Sequence, residues 1–407
     1  MSKVIVIGAG PAGMMAAISA SKNHKVILIE RNEKIGKKLY ITGKGRCNVT
    51  NAKDISEFFD YIPVNPSFLY SSLYSFTNLD TINFLEKAGV KLKVERGDRI
   101  FPESDKSSDI IQAFNRELKK NNIEIIYNTR IVKFNNDGNI IKSVVTSNNN
   151  LIIGDYFILC TGGKSYPLTG STGDGYKLSS DLGHNIITPK PALAPIEIIE
   201  DWVKELQGLS LKNIEINLLK NGKTVYTTFG EMLFTHFGIS GPIVLTASGY
   251  VNKFKPEALS INLKPALSKD ELDQRIQRDF KNNLNKDFKN SLNEILPQRL
   301  IDTVVKLSEI DENKKVNSIT KDERKKLVEL LQNLPMTIKG LRKIEEAIVT
   351  SGGIDVKEID SSTMKSKLID NLYFAGELID VDGFTGGFNI QIALSTGYLA
   401  GLRVGEK

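Results

Sequence analysis

The chain has 407 residues, of which 41% are hydrophobic and 25% charged, the make-up of a globular protein of two or three domains that buries its core without staples. Two cysteines and three histidines exclude a disulfide framework and a four-thiolate metal site, and they suit a reducing cytoplasm. The net charge of +6 is scattered, which permits anionic ligands but lacks the concentrated basic face expected of a nucleic-acid binder.

Residues 3–30 read as strand, turn, helix, strand: "KVIVIG", "GAGPAG", "MMAAISASKN" and "HKVILIE". This is a βαβ opening with a right-handed crossover, and it does not have the form of a signal peptide. The amphipathic segments "NLDTINFLEKAG", stopped at Gly89, and "SSDIIQAFNRELKKNN" predict helices. Short strands follow in "IEIIYNTRIVKF" and "IIKSVVTS", with a hairpin turn at "NNDG". "YFILCTGG" is a further buried strand running into glycines. Pro189, Pro191 and Pro195 punctuate an expected linker.

Beyond it, alternating stretches such as "IEINLLKNGKTVYTTFGEMLFT" predict a small antiparallel β domain, and Ser240-Gly241-Pro242 has the form of a helix start. Residues 268–334 are rich in lysine and leucine, and the capping-box pairs Ser268/Glu271 and Thr320/Glu323 predict several helices. "TSGGIDVKEID" is expected to return to the β domain. "NLYFAGELIDVDGFTGGFNIQIALSTGYLAGL" then reads as a strand, a Gly/Asp-rich turn and a small-residue helix. No apolar run approaches the roughly 18 residues that cross a bilayer.

The strongest motif is Gly8-Ala9-Gly10-Pro11-Ala12-Gly13. Gly8 permits the tight turn, Gly10 lets backbone approach a pyrophosphate, and Gly13 allows close helix–strand packing. Amides at the helix N-terminus favour the phosphates. Glu30, at the end of the next strand, is placed to accept hydrogen bonds from ribose hydroxyls. With Glu30-Arg31 following, this resembles the FAD version of the fingerprint more than the NAD version, and these residues alone do not separate the two. Two later segments resemble flavoprotein turns: "LCTGG", with Thr161 and Gly162, and "LYFAGELIDVDG", with Gly376, Glu377 and Asp382. The last helix opens near Gly387, Phe388, Asn389 and Ile390, where its positive end suits negative charge on a reduced flavin.

With "KKLYITGKGRCNVTN", "TGGKSYPLTGSTGDGYKLSSDLGH" and "GEMLFTHFGISGP" added, nearly the whole chain resembles the bacterial NAD(P)/FAD-dependent oxidoreductases also known as aminoacetone oxidase family FAD-binding enzymes, which include bile-acid-related flavoproteins. The resemblance implies an α/β fold: a discontinuous Rossmann-like FAD domain of the glutathione-reductase type, with a β-barrel-like domain and a helical domain inserted. The expected boundaries are 1–190 with 356–407, 191–267 with 338–355, and 268–337. Non-covalent FAD is implied, with cofactor-side positions at Arg31 and Val132 as well.

The connection after Glu30 passes over the cofactor in this family. Arg46, Cys47 and Asn48 are expected to line flavin or pyrophosphate, and Lys37, Lys38 and Lys44 to offset phosphate charge. Amides of Gly43 and Gly45 are expected to form an anion nest; the plain alternative is a solvated basic turn. A thiol beside Lys44 and Arg46 would have a lowered pKa, yet a free cysteine is usually a small buried hydrophobe, so Cys47 is read as a contact residue. Tyr166 and His236 are the substrate-side candidates, each with a packing role as its alternative. His24 and His184 are read as surface or packing residues.

The expected activity is hydride transfer between FAD and a small organic substrate. The substrate is either an amine, oxidised with oxygen, or a conjugated C=C, reduced with electrons from NAD(P)H; no residue chooses between them. No second G-x-G-x-x-G is present, so NAD(P)H is expected to dock transiently over the flavin. The rivals are a nucleic-acid-associated flavoprotein, such as a tRNA-modifying flavin enzyme, and a flavin-binding sensor without turnover. Neither nucleic acid nor membrane is an expected partner, the expected location is cytoplasmic, and the sequence sets no oligomeric state.

Overall fold

The computed structural model describes residues 1–406, arranged as two compact units. The first comprises Met1–Ala192 together with the chain from Lys343 onward; the second is Leu193–Arg342. The first is built on a five-stranded sheet in the order Leu372–Phe374, Tyr156–Leu159, Lys3–Ile7, Lys25–Ile29, Glu124–Ile126. Every pairing is parallel. The apolar runs "KVIVI" and "KVILI" are buried beyond their first residue, as parallel strands covered on both faces must be.

The helix Pro11–Ala20 starts with proline in its first turn and is buried from Ala12 to Ala20. The last helix, Phe388–Arg403, crosses it through small residues. A Cβ placed on Gly397 would sit 2.2 Å from the Ala12 carbonyl oxygen, and one on Gly401 2.3 Å from that of Ala16. Two segments from opposite ends of the sequence thus share one apolar core.

The helices expected from periodicity are Asn78–Lys87 and Ser107–Lys120, and "NNDG" turns the hairpin between Ile131–Asp137 and Ile140–Thr146. The proline-marked linker is instead a strand. Ile186–Ala192 pairs antiparallel with Val349–Ile354, and the register shifts between Ile187 and Lys190, around Pro189. A two-stranded ribbon leaves one side of each strand unpaired, so prolines without N–H groups are tolerated there. Residues 343–355, expected in the β domain, accordingly lie in the first unit.

The second unit is a closed barrel in the order Ile196–Ile198, Gly238–Ser240, Lys223–Thr235, Ser210–Lys220, Ala258–Asn262, Leu334–Leu341. Helix Pro242–Phe254 starts behind Gly241 as its N-cap. Helices Lys269–Lys281 and Lys321–Gln332 begin with complete capping boxes at Ser268/Glu271 and Thr320/Glu323. Leu272, Leu300 and Leu327 of the helical segment join Ile216, Phe234 and Leu259 of the barrel in one buried cluster. The segment 268–337 therefore has no separate core, and two units replace the three expected domains.

His184 is a packing residue of the first unit. Its Nδ1 lies 3.1 Å from Glu358 Oε2 and its Nε2 2.9 Å from Ser366 Oγ. Glu358 accepts the Nδ1 proton, and the Ser366 hydroxyl donates to Nε2. Burial lowers the imidazole pKa against the opposing pull of Glu358. A lowered folded-state value means the contribution is complete above the unfolded pKa of about 6.5 and is lost as pH falls toward the folded one. Thermal stability should thus decline on acidification below about pH 6.5, by at most ~1.4 kcal/mol per pH unit from this group. Melting curves of His184→Gln should show a flatter acid limb; an unchanged limb would acquit His184.

Candidate functional site

The turn after the first strand is shaped by contact. A Cβ on Gly13 would lie 1.8 Å from the Gly8 carbonyl oxygen, and one on Gly8 2.5 Å from that of Cys160. A Cβ on Gly10 would meet nothing within 4 Å, so there is open space at the mouth of the helix. Its first turn holds no acidic residue and no side-chain cap, which leaves the amides for a ligand. Glu30 is buried; Oε2 accepts the Ala9 amide at 2.8 Å, and Oε1 accepts Asn32 N at 2.9 Å and Nδ2 at 2.7 Å. A carboxylate has about four lone-pair sites, so capacity remains for a hydroxyl. Glu30→Ala should weaken FAD binding about tenfold to a hundredfold, measured by flavin loss on dialysis. Full retention would remove Glu30 from the site.

The second glycine turn adjoins the first through Cys160 and Thr161. Thr161 Oγ1 is buried without a partner, and Gly162 is left-handed at φ 72°. The third segment arrives at Gly376, whose amide donates to Thr396 Oγ1 at 3.0 Å. Next to it, Lys38 Nζ lies 2.6 Å from both Glu377 Oε2 and Ser165 Oγ. Glu377 Oε1 accepts Ser165 Oγ at 3.1 Å and Thr350 N at 2.7 Å. Four separate stretches of chain are tied there.

Most of the cations expected beside phosphate have acidic partners within the chain. The Lys38 ammonium is held by Glu377, and Lys37 lies 3.4 Å from Glu33. Arg31 reaches Thr172 at 2.5 Å and Asp174 at 3.0 Å. Arg46 engages Glu95, and also Asp105 at 2.6 Å, with its guanidinium 4.3 Å above the Phe101 ring. These charges are matched by carboxylates of the chain and fasten its segments together.

The decad "ITGKGRCNVT" is a strained turn. Gly43, Lys44, Gly45 and Cys47 all have φ between 60° and 85°. The Gly45 and Cys47 amides donate to the Thr42 carbonyl at 3.2 and 2.9 Å, so Gly45 does not contribute to the expected anion nest. Cys47 is wholly buried, and desolvation pushes its thiol upward. The lowering expected from nearby cations is overridden, which fits a contact role and not redox chemistry. Asn48 Oδ1 is buried and without a partner.

The end of the same segment is anchored to the last helix. Asn51 Nδ2 donates to the Gly386 carbonyl at 3.1 Å. Gln391 Oε1 accepts Thr50 Oγ1 at 2.7 Å and Thr81 Oγ1 at 2.8 Å, while Nε2 donates to Phe76 O at 3.1 Å and Ser395 Oγ at 3.0 Å. Gln391, like Ser165 and Thr350, was missed in the sequence; its one signal is an amide in the otherwise apolar run "FNIQIAL".

The helix itself starts at Gly387, φ 100°, without a side-chain cap. The Phe388 ring stacks on Tyr61 at 4.5 Å and is buried, so only its main chain can face a ligand. Asn389 uses its side chain to hold Gly383, by bonds of 2.8 and 2.6 Å, and Ile390 is half-buried. Val132 is exposed, just beyond Thr129, whose amide donates to the Glu30 carbonyl at 3.0 Å. Tyr166 is half-buried in a left-handed conformation, φ 52°, with its amide on Glu345 O at 3.2 Å. His236 is exposed on a barrel turn of the second unit, edge-on to Phe237 at 4.9 Å. Asp382 is buried, which raises its carboxyl to about 7.

FAD fits these residues. The space at Gly10, uncapped amides on two helices, spare lone-pair capacity on Glu30, and the orphaned Asn48 Oδ1 and Thr161 Oγ1 are the features a dinucleotide would complete. Among the described residues no helix is long and apolar enough to cross a membrane.

The profile of the HI0933-like protein Rossmann domain matches residues 2–403. The chain is 30% identical over 417 residues to the 3-dehydro-bile acid delta(4,6)-reductase of Clostridium scindens, covering 100% of both. It is 32% identical over 414 residues to the ribosomal RNA dihydrouridine synthase of Haemophilus influenzae, covering 100% of this chain and 99% of that one. The solved 3-ketosteroid-delta4-(5alpha)-dehydrogenase of Rhodococcus jostii RHA1 shares the fold at a TM-score of 0.53 and 12% identity, over 100% of this chain and 97% of that one. The chain belongs to the HI0933-like Rossmann-domain family and is an FAD-dependent oxidoreductase.

Proposed function

We propose that the enzyme adds two hydrogens across a C=C bond conjugated to a carbonyl, with electrons drawn from NAD(P)H through FAD. The observation that carries this reading is the pair of full-length relatives. One is named a delta(4,6)-reductase of a 3-dehydro acid and the other a dihydrouridine synthase; both names describe hydrogen added to a C=C. Oxidation of an amine has no such support.

Pyrophosphate would take the amides after Gly8 and Gly10, ribose would take Glu30, and the adenosine end would lie along Val132. Thr161, Gly162, Gly376 and the first turn after Gly387 would hold the ribityl and flavin end. Bound there, FAD supplies two-electron hydride chemistry. The chain's own part is to orient the reactants, exclude water and handle the proton. Both cysteines are buried with their thiols pushed upward, so the electron path involves no dithiol.

A small hydrophobic enone is the preferred substrate class. The second reading, a uridine in RNA, rests on the synthase relative. Some cations of the helical segment are paired with acids, as in Lys314–Glu323, Arg324–Asp273 and Lys289–Glu312, and these are withdrawn from any phosphate-binding stripe. The test is anaerobic: reduce the yellow protein with NADH or NADPH, then offer a conjugated steroid ketone or a uridine-rich RNA. Reoxidation by the ketone, with ping-pong steady-state kinetics, is the expected result. Reoxidation by RNA alone would move the substrate to the second reading, and reoxidation by neither would end the proposal.

A further inference from the structure

We propose that Asp382 is the acid that supplies the proton when the conjugated C=C is reduced, an inference that rests on the reaction just proposed. Reducing such a bond needs two hydrogens of different kinds. One carbon takes a hydride, delivered by reduced FAD with both electrons. The π pair then forms the second C–H bond, at the carbon next to the carbonyl, with a proton from an acid. On this proposal the Asp382 O–H bond breaks, its carboxylate remains, and solvent reprotonates it before the next cycle.

The placement carries the argument. Asp382 is 3% exposed, and among the described residues its Oδ1 is the one buried carboxylate oxygen without a hydrogen-bond partner. It stands in the turn between Glu377, in the polar knot beside the second glycine turn, and the uncapped start of the last helix. That turn is fixed on both sides. Asp382 bridges Val64, Asn65 Nδ2 donates to Asp380 O at 2.7 Å and Oδ2 at 3.0 Å, and Asn389 clamps Gly383. One oxygen of a carboxyl so held has no protein partner, while the Ser351 hydroxyl is bonded to the group.

Its surroundings keep the proton on. The groups acting on Asp382 are the Ser351 hydroxyl, which favours the anion, and the carboxylates of Asp380 and Glu377, which oppose it. Asp355 bears in the same way on Asp380. The nearby cation Lys38 is bound to Glu377. Burial dominates, and the carboxyl titrates at about 7, so both forms are accessible at neutral pH, as a recycling acid requires. Asp380, with its carboxylate on Asn65, is less suited to the task.

The holoenzyme and two variants, Asp382→Asn and Asp382→Glu, test this. For Asp382→Asn, reoxidation of the reduced flavin by a conjugated ketone should slow at least ~100-fold, with reduction by NAD(P)H changed far less. Wild-type reoxidation should decline as pH rises through 7, and Asp382→Glu should recover part of the rate. Independently of turnover, infrared difference spectra of the wild type should show a protonated carboxyl band that titrates near neutrality and is missing in Asp382→Asn. A reactive wild type matched by Asp382→Asn would overturn the inference alone, as would absence of the band at pH 6. A wild type inert to every conjugated carbonyl would overturn the proposed reaction and this proton step with it.

Discussion

Gly397→Val is expected to yield colourless protein that melts early or precipitates. At this position even a Cβ would lie 2.2 Å from the Ala12 carbonyl oxygen and 3.0 Å from its Cα, and neither atom can rotate away. Separating the two helices opens the core they share, a change in the class that costs more than about 4 kcal/mol. At roughly 2–4 °C per kcal/mol, that is a fall in Tm of some 8–16 °C. The helix that must move also carries the Gly8–Gly13 turn, so flavin should be lost with stability. Thermal melts and flavin absorbance check this; yellow protein with an unchanged Tm would show that the helices do not cross so closely.

Gln391→Leu should cost about 2–6 kcal/mol, because the hydroxyls of Thr50 and Thr81 lose their acceptor inside the core, at ~1–3 kcal/mol each. The variant still fills the core with a branched side chain but cannot hold the "NVTN" segment against the last helix. The spectrum of bound flavin should therefore shift together with stability. A cycle with Thr50→Val separates the network from plain packing: removing both ends should cost less than the sum of the single changes. Additive costs would show that Gln391 acts by packing alone.

What could be read from the sequence was local. Gly8, Gly10, Gly13 and Glu30 lie within one βαβ unit, where spacing alone gives geometry. The capping boxes at Ser268 and Thr320, and the hairpin at "NNDG", are set by residues a few positions apart. Charge pairing is a different matter. Lys38 and Glu377 are 339 positions apart, and Arg46 finds its carboxylates in Glu95 and Asp105. The sequence displays such charges without their partners, so cations seemed available to phosphate. Cys47 is a related case: its flanking cations are visible in a string of letters and its burial is not, yet the usual habit of a free cysteine pointed to the contact role. The prolines of 186–192 suggested a linker because one strand of a ribbon cannot be recognised without its mate, 349–354.

The order of the sheet has a consequence for synthesis. Leu372–Phe374 forms the outer strand beside Tyr156–Leu159, and Phe388–Arg403 covers the helix Pro11–Ala20. Both are translated after residues 193–342, which hold a complete barrel-and-helix core of their own. While those residues emerge from the ribosome, Tyr156–Leu159 is an open sheet edge and Pro11–Ala20 lacks its apolar cover. Pairing across so long a gap in sequence is slow and leaves such edges prone to aggregation. The second unit therefore has its own core complete as it appears, whereas the first unit keeps an open sheet edge and an uncovered helix until the chain through Arg403 has been made.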